Sequence, residues 1–585
     1  MEPQDSPLSL PEIRHLVGQY LENDDLLSLI LVCRAFHTDF VPFLWRTFVF
    51  DPQIQRTLSK EAFHKHEHSI RSLKLHDHAT FARHWQSTDC KNLRSLEILP
   101  NHVSFPRPAR VKEYRQAAAY AEAASAGSTA QPEDDAEQAG DRVIDLIQQQ
   151  RNLTTLKLNW IAFHPGSIHH LALQLYQTPN RLVTLHLSKW TMRLIDLNML
   201  VKSSPCLDEF FARGLVVEPS SPLPTSDSSL QQRDQPVLNF GHIRRLRFHH
   251  LLICVAPLLI DCPSAQSIQL TGYGIQSGTT QNFARRRGHS WNCPNLERFH
   301  YTGQVDEAET VDKYSEQGPL SDILRTSSSP TTLSQPILDL TPVTTASVDR
   351  RSGLKRIALA CCFEIGRTGS GLWAIAQSLH GTTLESIDLS YSAGLTSLDI
   401  LSIFSTCPRL RQLKGSEDYL WGTDVQDSTS EPWTCLDLER LQIRFGLART
   451  REISHAGYGR RLHAPVADAE QGQVDAMYNR LAGLKHLKVL DLSGYGSMDH
   501  LTRGIPLTLE RGLDRLAGLT ELNTIHVTGW EAEMGVPEAN WIAKHWPRLQ
   551  TIYTLHNKND GEWMRFHGLW REAQDRVRKE TTSTL

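Results

Sequence analysis

Apolar residues recur along most of the chain in one short frame: an apolar position, two further residues, then two apolar positions separated by one residue. IRSLKL, with Ile70, Leu73 and Leu75, opens the series. Leu93, Leu96 and Ile98 follow, then Leu153, Leu156 and Leu158. Further copies begin at Leu182, Leu207, Ile243, Ala265 and Leu296. The C-terminal half continues at Leu354, Leu384, Leu410, Leu438, Leu487, Leu522 and Leu549. The last two apolar positions alternate, as a short strand with one buried face requires. Between frames the spacing turns helical, as in IHHLALQLYQT before Leu182 and SLDILSIFSTC before Leu410.

Neighbouring frames lie about 25 to 28 residues apart, within the 20–29 residues of a leucine-rich repeat. One such unit cannot bury its apolar side alone, so stacking must supply a continuous core. The predicted fold is α/β: a leucine-rich-repeat solenoid, a horseshoe with parallel strands on the concave face and helices outside. CPNLERF, CPRLRQL and the variant HWPRLQTI resemble the turns of cysteine-containing leucine-rich repeats. The chain has ten cysteines and no C-x-x-C pair. Cys206 after Pro205, and Cys262, Cys293 and Cys407 before prolines, are read as small buried hydrophobes.

Longer gaps mark insertions. Residues 49–100 hold the first repeats, and 101–142 form an Ala-rich, then acidic insertion. The solenoid resumes over 143–560, with irregular segments near 218–236, 303–350 and 448–476. These lack apolar periodicity and read as loops. A helix or tail closes the chain at 561–585.

Residues 8–48 contain no repeat frame. Ile13, Leu16, Val17 and Tyr20 recur at helical spacing behind Pro11 and Glu12. Asn23 or Asp24 caps a second helix from Asp25, whose Leu26, Leu27, Leu29, Ile30, Leu31 and Val32 exceed one buried stripe. A third short helix carries Phe40, Phe43, Leu44 and Trp45. Leu10-Pro11-Glu12-Ile13, Leu21, Asp25-Leu26-Leu27, Val32-Cys33-Arg34 with Phe36, and Leu44-Trp45 together resemble an F-box, with a start one residue short and Phe36 where that family has Trp. The whole chain is similar to fungal-type F-box/leucine-rich-repeat proteins. The resemblance implies a small all-α module that docks a Skp-family adaptor, and through it a cullin, while the repeats hold a target protein. Leu10, Pro11, Ile13, Leu16, Leu26, Leu27, Val32 and Trp45 are then the adaptor contacts or their direct supports. The alternative is an interaction scaffold in which these helices merely cap the first repeat, with Cys33 and Trp45 packed against it.

Charge sharpens the repeat face. The net charge is only -4, so the chain lacks the basic footprint of a nucleic-acid binder. Side chains flanking the strand apolars point away from the core. They include Lys74, His76, Lys157, Asn159, His186, Arg245, Arg247, His249, Gln269, Arg298, His300 and Arg356, followed by Asp388, Arg440, Arg444 and Asp491. Lys157, Arg245, Arg247, Arg298, His300 and Arg356 are the candidates for binding an acidic or phosphorylated target, because guanidinium pairs bidentately with carboxylate and phosphate. Ordinary solvated charge is the competing reading.

No Walker A, G-x-S-x-G or H-E-x-x-H pattern occurs, and His64, His66 and His68 in HKHEH lack a further ligand. No enzyme activity, cofactor or metal is expected. The apolar runs are too short for a bilayer, and the opening MEPQDSPLSLPE has no basic-then-apolar leader. A cytoplasmic or nuclear protein with reduced thiols is expected.

Overall fold

The computed structural model describes residues 8, 10–50, 59–76, 90–99, 144–159, 170–173, 175, 181–218, 237–253, 259–271, 290–302, 353–360, 377, 379–390, 392, 395–428, 432–447, 468–492, 505–527, 534–554 and 560–583. The segments 101–142 and 303–350, and residues 219–236 and 448–467, lie outside them. The chain divides into two compact units between Ser264 and Ala265.

The N-terminal unit begins with three helices: α1 (Pro11–Gly18), α2 (Asn23–Ile30) and α3 (Arg34–Leu44). A parallel sheet follows, its strands paired in chain order. They are β1 (Thr47–Phe50), β2 (Ser72–Leu75), β3 (Ser95–Ile98), β4 (Thr155–Asn159), β5 (Thr184–Ser188), β6 (Glu209–Arg213) and β7 (Arg245–His249). The C-terminal unit repeats the design with β8 (Ser267–Thr271), β9 (Arg298–Thr302), β10 (Arg356–Ala360), β11 (Ser386–Asp388) and β12 (Gln412–Trp421). It continues with β13 (Arg440–Gly446), β14 (Val489–Asp491), β15 (Thr524–Val527) and β16 (Thr551–Thr554).

Every frame read from the sequence yields one strand, and the frames align. Leu73, Leu96, Leu156, Leu185, Phe210 and Leu246 stand in register across the first unit. Ile268, Phe299, Ile357, Ile387, Leu413, Leu441, Leu490, Ile525 and Ile552 do so across the second. All are buried. This ladder is the stacked core of leucine-rich repeats, each residue covered by the same position of its neighbours. Phe210, Phe240 and Phe248 thicken it, with ring centroids 5.5 to 5.8 Å apart. On the helical side, Thr396 and Asp399 form a reciprocal capping box at the start of Ser397–Thr406, which buries Ile400, Ile403 and Phe404.

The first residue of a frame closes a turn. Its N–H donates to the carbonyl three residues earlier: Leu93 to Cys90, Ile243 to Phe240, Leu296 to Cys293, Leu410 to Cys407, Leu438 to Cys435 and Leu549 to Trp546, at 2.8 to 3.3 Å. The residue bearing that carbonyl is buried in each case. The turn then hands the chain to the preceding repeat, as when Arg94 and Ser95 both donate to the Arg71 carbonyl. This geometry corrects one expectation. Cys262, Cys293 and Cys407 fill the buried slot, but Cys206 sits directly before Leu207 and is exposed, while Ser204 occupies the slot. Burial pushes the thiols of Cys407 and Cys435 up to about 11 and about 12. Thiols of this kind are inert packing groups. Brief treatment of the native chain with iodoacetamide is therefore expected to label Cys33 and Cys206 and to spare Cys407 and Cys435 until denaturant is added, as read by peptide mass spectrometry.

Four further details depart from the sequence reading. β1 is an unforeseen strand: Trp45, Phe48 and Phe50 make a frame with aromatic rings in place of leucines, and Phe48 and Phe50 align with Leu73 and Leu75. The second helix starts at Asn23, not Asp25, and its N-cap residue Glu22 makes no side-chain cap. The third helix is eleven residues, with Cys33 as its cap; the Cys33 Sγ accepts from the Phe36 N–H. From Asp468 the segment expected to be irregular is a helix, Asp468–Ala482. After β5, β6 and β7 the chain turns at Lys189, Gly214 and His250, all at positive φ. It then enters a second line of short parallel strands at Thr191–Arg193, Val216–Glu218 and Leu252–Ile253. At the chain's other end the helix Asp560–Ser583 buries Phe566, Trp570 and Ala573, and Gln574 Nε2 donates to the Leu549 carbonyl. It covers the last repeat, as an end of a repeat stack requires.

Candidate functional site

The N-terminal helices are built around α3. Gly18 on α1 faces it so closely that an added Cβ would lie 2.9 Å from the Phe43 ring. Arg14, buried, binds Asp39 of α3 through Nε, reaches the Leu8 carbonyl at 2.7 Å, and lies over the Phe36 ring. Phe36 meets Phe40 edge-on at 5.4 Å. Trp45 then joins the helices to the first repeat, stacked on Phe48 at 5.7 Å and on His66 at 5.0 Å.

What remains outside is apolar. Leu8, Leu10, Leu16, Tyr20, Leu27, Leu31 and Val32 are between 41% and 84% exposed. Leu16 and Leu27 lie on α1 and α2, and Tyr20 and Leu31 lie just past the C-terminal ends of these helices. Of the adaptor residues named from the sequence, Leu10, Pro11, Leu16, Leu27 and Val32 are exposed and Ile13 is half-buried. Leu26 is 2% exposed, and Trp45 is half-buried and stacks on Phe48. Arg14 and Asp39 carry the assembly and were missed, since no local spacing marks a pair 25 residues apart.

The solvent side of the sheet is ordered in rows by the register. In the first unit one row reads Val49, Lys74, Glu97, Lys157, His186, Phe211 and Arg247. Its cations are largely answered within the chain. Lys74 and Lys157 flank Glu97 at 3.6 and 3.7 Å. Arg245 binds Asp208 at 2.7 Å, Arg244 binds the same carboxylate at 2.6 Å, and Arg247 approaches Glu209 at 3.6 Å. Burial works to raise the Asp208 carboxyl, but hydrogen bonds from Arg245 and Arg244 hold it below the usual carboxylate value. Lys157, Arg245 and Arg247 are thus not free cations.

The second unit differs. Ser267, Arg298, Arg356, Ser386, Gln412 and Arg440 form one row. Gln269, His300, Ala358, Asp388, Lys414, Gln442, Asp491 and His526 form the next. Arg298, Arg356 and Arg440 are exposed and, among the described residues, make no ion pair. The carboxylates beside them are taken by lysines: Glu297 by Lys355 at 2.9 Å, Asp388 by Lys414 at 3.4 Å and Glu439 by Lys488 at 2.8 Å. Two positions expected to face outward do not. Arg444 and Asp491 are 7% and 1% exposed. β12 and β13 pair on beyond a register shift after Lys414, and residues 443–447 are all buried, so the alternation that would expose Arg444 is lost there.

Several face histidines are half-buried. Burial lowers the pKa of His186, His300 and His526; Lys157 adds to the effect at His186, while Asp388 and Asp491 oppose it at the other two. A folded-state histidine pKa below its ordinary 6.5 means that the unfolded chain binds more protons, so stability falls as pH drops below that value. The unfolding temperature is expected to fall between about pH 7 and pH 5.5. His186→Asn should flatten that slope, as read by thermal melts across the window.

Among the described residues, no helix is long and apolar enough to cross a membrane, and no group of three or more His, Cys, Asp or Glu could hold a metal ion. His64 instead contacts Glu67 at 3.1 Å, and His66 stacks on Trp45.

No family model matches the sequence, and no curated protein matches it. Solved structures similar to it include the TLR13–ssRNA13 complex, with a TM-score of 0.33 and 13% identity over 83% of this chain and 54% of that one. This chain thus spans about half the length of that protein. The leucine-rich-repeat-containing protein LegL7 from Legionella pneumophila has a TM-score of 0.18 and 9% identity, over 90% of this chain and 98% of that one. The repeat fold described above rests on the strand register, not on these likenesses.

Proposed function

We propose that the chain is the substrate receptor of a cullin–RING ubiquitin ligase. The N-terminal helices grip a Skp-family adaptor, the repeats hold a target protein, and neither surface performs bond chemistry. On this reading the protein works in the cytoplasm, the nucleus or both. The observation that supports it is the row of large apolar side chains left in solvent between Leu8 and Val32. Such a surface on a short helical module is what a helix-in-groove partner covers. It takes in the F-box-like positions Leu10, Pro11, Leu27 and Val32, and Leu16 among the expected adaptor contacts. Trp45, Phe48 and β1 meet the first repeat while these side chains stay in solvent, which supports an adaptor surface over a simple end-cap.

The test is co-expression of the full chain with a Skp-family adaptor, followed by affinity purification and size-exclusion chromatography. A stable complex at equal stoichiometry is the expected result. A full chain that elutes alone, folded and soluble, would leave a protein-interaction scaffold and remove the ligase.

A further inference from the structure

We infer that the row Arg298–Arg356–Arg440 in the second unit binds an extended acidic segment of the target, with aspartate or glutamate at positions i, i+2 and i+6. This deepens the receptor reading and rests on it for the identity of the target as a recruited protein. Three observations carry it. The arginines are exposed and, among the described residues, have no carboxylate of their own, whereas Arg245 and Arg247 in the first unit are already paired. Arg298 and Arg356 are direct register partners, so two like charges stand side by side, with no ion pair to either among the described residues. From Ser267 to Arg440 this row carries no acidic side chain, with Ser267, Ser386 and Gln412 as neutral hydrogen-bonding groups, while Glu297, Asp388 and Glu439 beside it are held by lysines.

The spacing follows from the sheet. Strands lie about 4.8 Å apart, so Arg356 is one interval from Arg298 and Arg440 is four, at about 19 Å. An extended peptide advances about 3.3 Å per residue and presents alternate side chains to one side. Carboxylates at i, i+2 and i+6 then fall at about 0, 7 and 20 Å, all on the side facing the arginines. Flat guanidinium forks match carboxylates bidentately, and the gap between Arg356 and Arg440 lets Ser386 and Gln412 meet the peptide backbone.

The measurement is fluorescence anisotropy of the full chain with a labelled, otherwise neutral peptide carrying glutamates at i, i+2 and i+6. The comparison peptide has the same composition with glutamates at i, i+3 and i+5. The first should bind at least about tenfold more tightly and weaken with added salt. Arg298→Glu with Arg356→Glu should cost at least about tenfold, and Arg245→Glu with Arg247→Glu should leave binding within about twofold. Circular dichroism checks that both double variants are folded. Equal binding of the two peptides, undiminished binding by the first double variant, or no binding of either peptide overturns the inference. Binding only when phosphoserine replaces the glutamate at i would overturn the carboxylate assignment. The adaptor is absent from this assay, so its outcome is separate from that of the ligase test.

Discussion

Leu16→Glu combined with Leu31→Glu is expected to abolish adaptor retention and leave the fold intact. Both side chains are more than half exposed, at 53% and 84%. Exposed substitutions of this kind normally change stability by no more than about 0.5 kcal/mol. In a complex, each buried leucine contributes about 2 kcal/mol by area, and each glutamate would bring an unpaired charge into the interface. Losing two such contacts corresponds to about a thousandfold in affinity. Co-purification with the adaptor, set beside an unchanged unfolding temperature, reads the two effects separately. Leu26→Glu is the contrasting variant: Leu26 is buried between the helices, so it should lower the unfolding temperature and adaptor binding together. Point substitutions are preferable to deleting residues 1–50. That deletion would remove β1, which pairs with β2 along Thr47–Phe50, and would uncover a sheet edge.

Trp546→Ala should be among the most damaging single changes in the chain. The indole is fully buried, its Nε1 donates to the Leu516 carbonyl at 3.1 Å, and Trp541 meets it edge-on at 5.4 Å. It occupies the slot that cysteine fills at Cys293, Cys407 and Cys435. Removing a buried Trp costs about 3–5 kcal/mol, much of a typical folding free energy. In a repeat stack that loss falls first on the neighbouring units. β15, β16 and the two helices Val536–His545 and Asp560–Ser583 should therefore become protease-sensitive before the rest. Limited proteolysis with mass mapping checks the order. Trp546→Cys should fare nearly as badly, because the slot here is shaped for an indole.

The reading from sequence was strongest where side-chain spacing determines burial. Leu73 and Leu75, or Ile525 and Val527, are legible because a strand against a core needs two alternating apolar residues. Phe48 and Phe50 obey the same rule and were overlooked because their frame is aromatic and adjoins the helices. Cys206 was misplaced because residue type was weighed above phase: two positions separate it from the buried slot. Charge pairing was hidden altogether. That Asp208 would engage Arg245, 37 residues on, depends on which repeats become neighbours and in what register. With the lateral partners known, Arg245 and Arg247 drop out of the candidate basic face, Arg298 and Arg356 stay in it, and Arg440 joins them. The apolar surplus of α2 could be read in the sequence, but not that only Leu26 would be fully buried.

The central claim is that α1 and α2 present their free apolar sides to an adaptor. Hydrogen–deuterium exchange of the full chain, with and without a saturating Skp-family adaptor, tests it most directly. The account predicts slowed exchange across residues 10–32 and little change in β2 to β16. Protection confined to the repeats, or no protection anywhere at adaptor concentrations that saturate a known F-box protein, would contradict it.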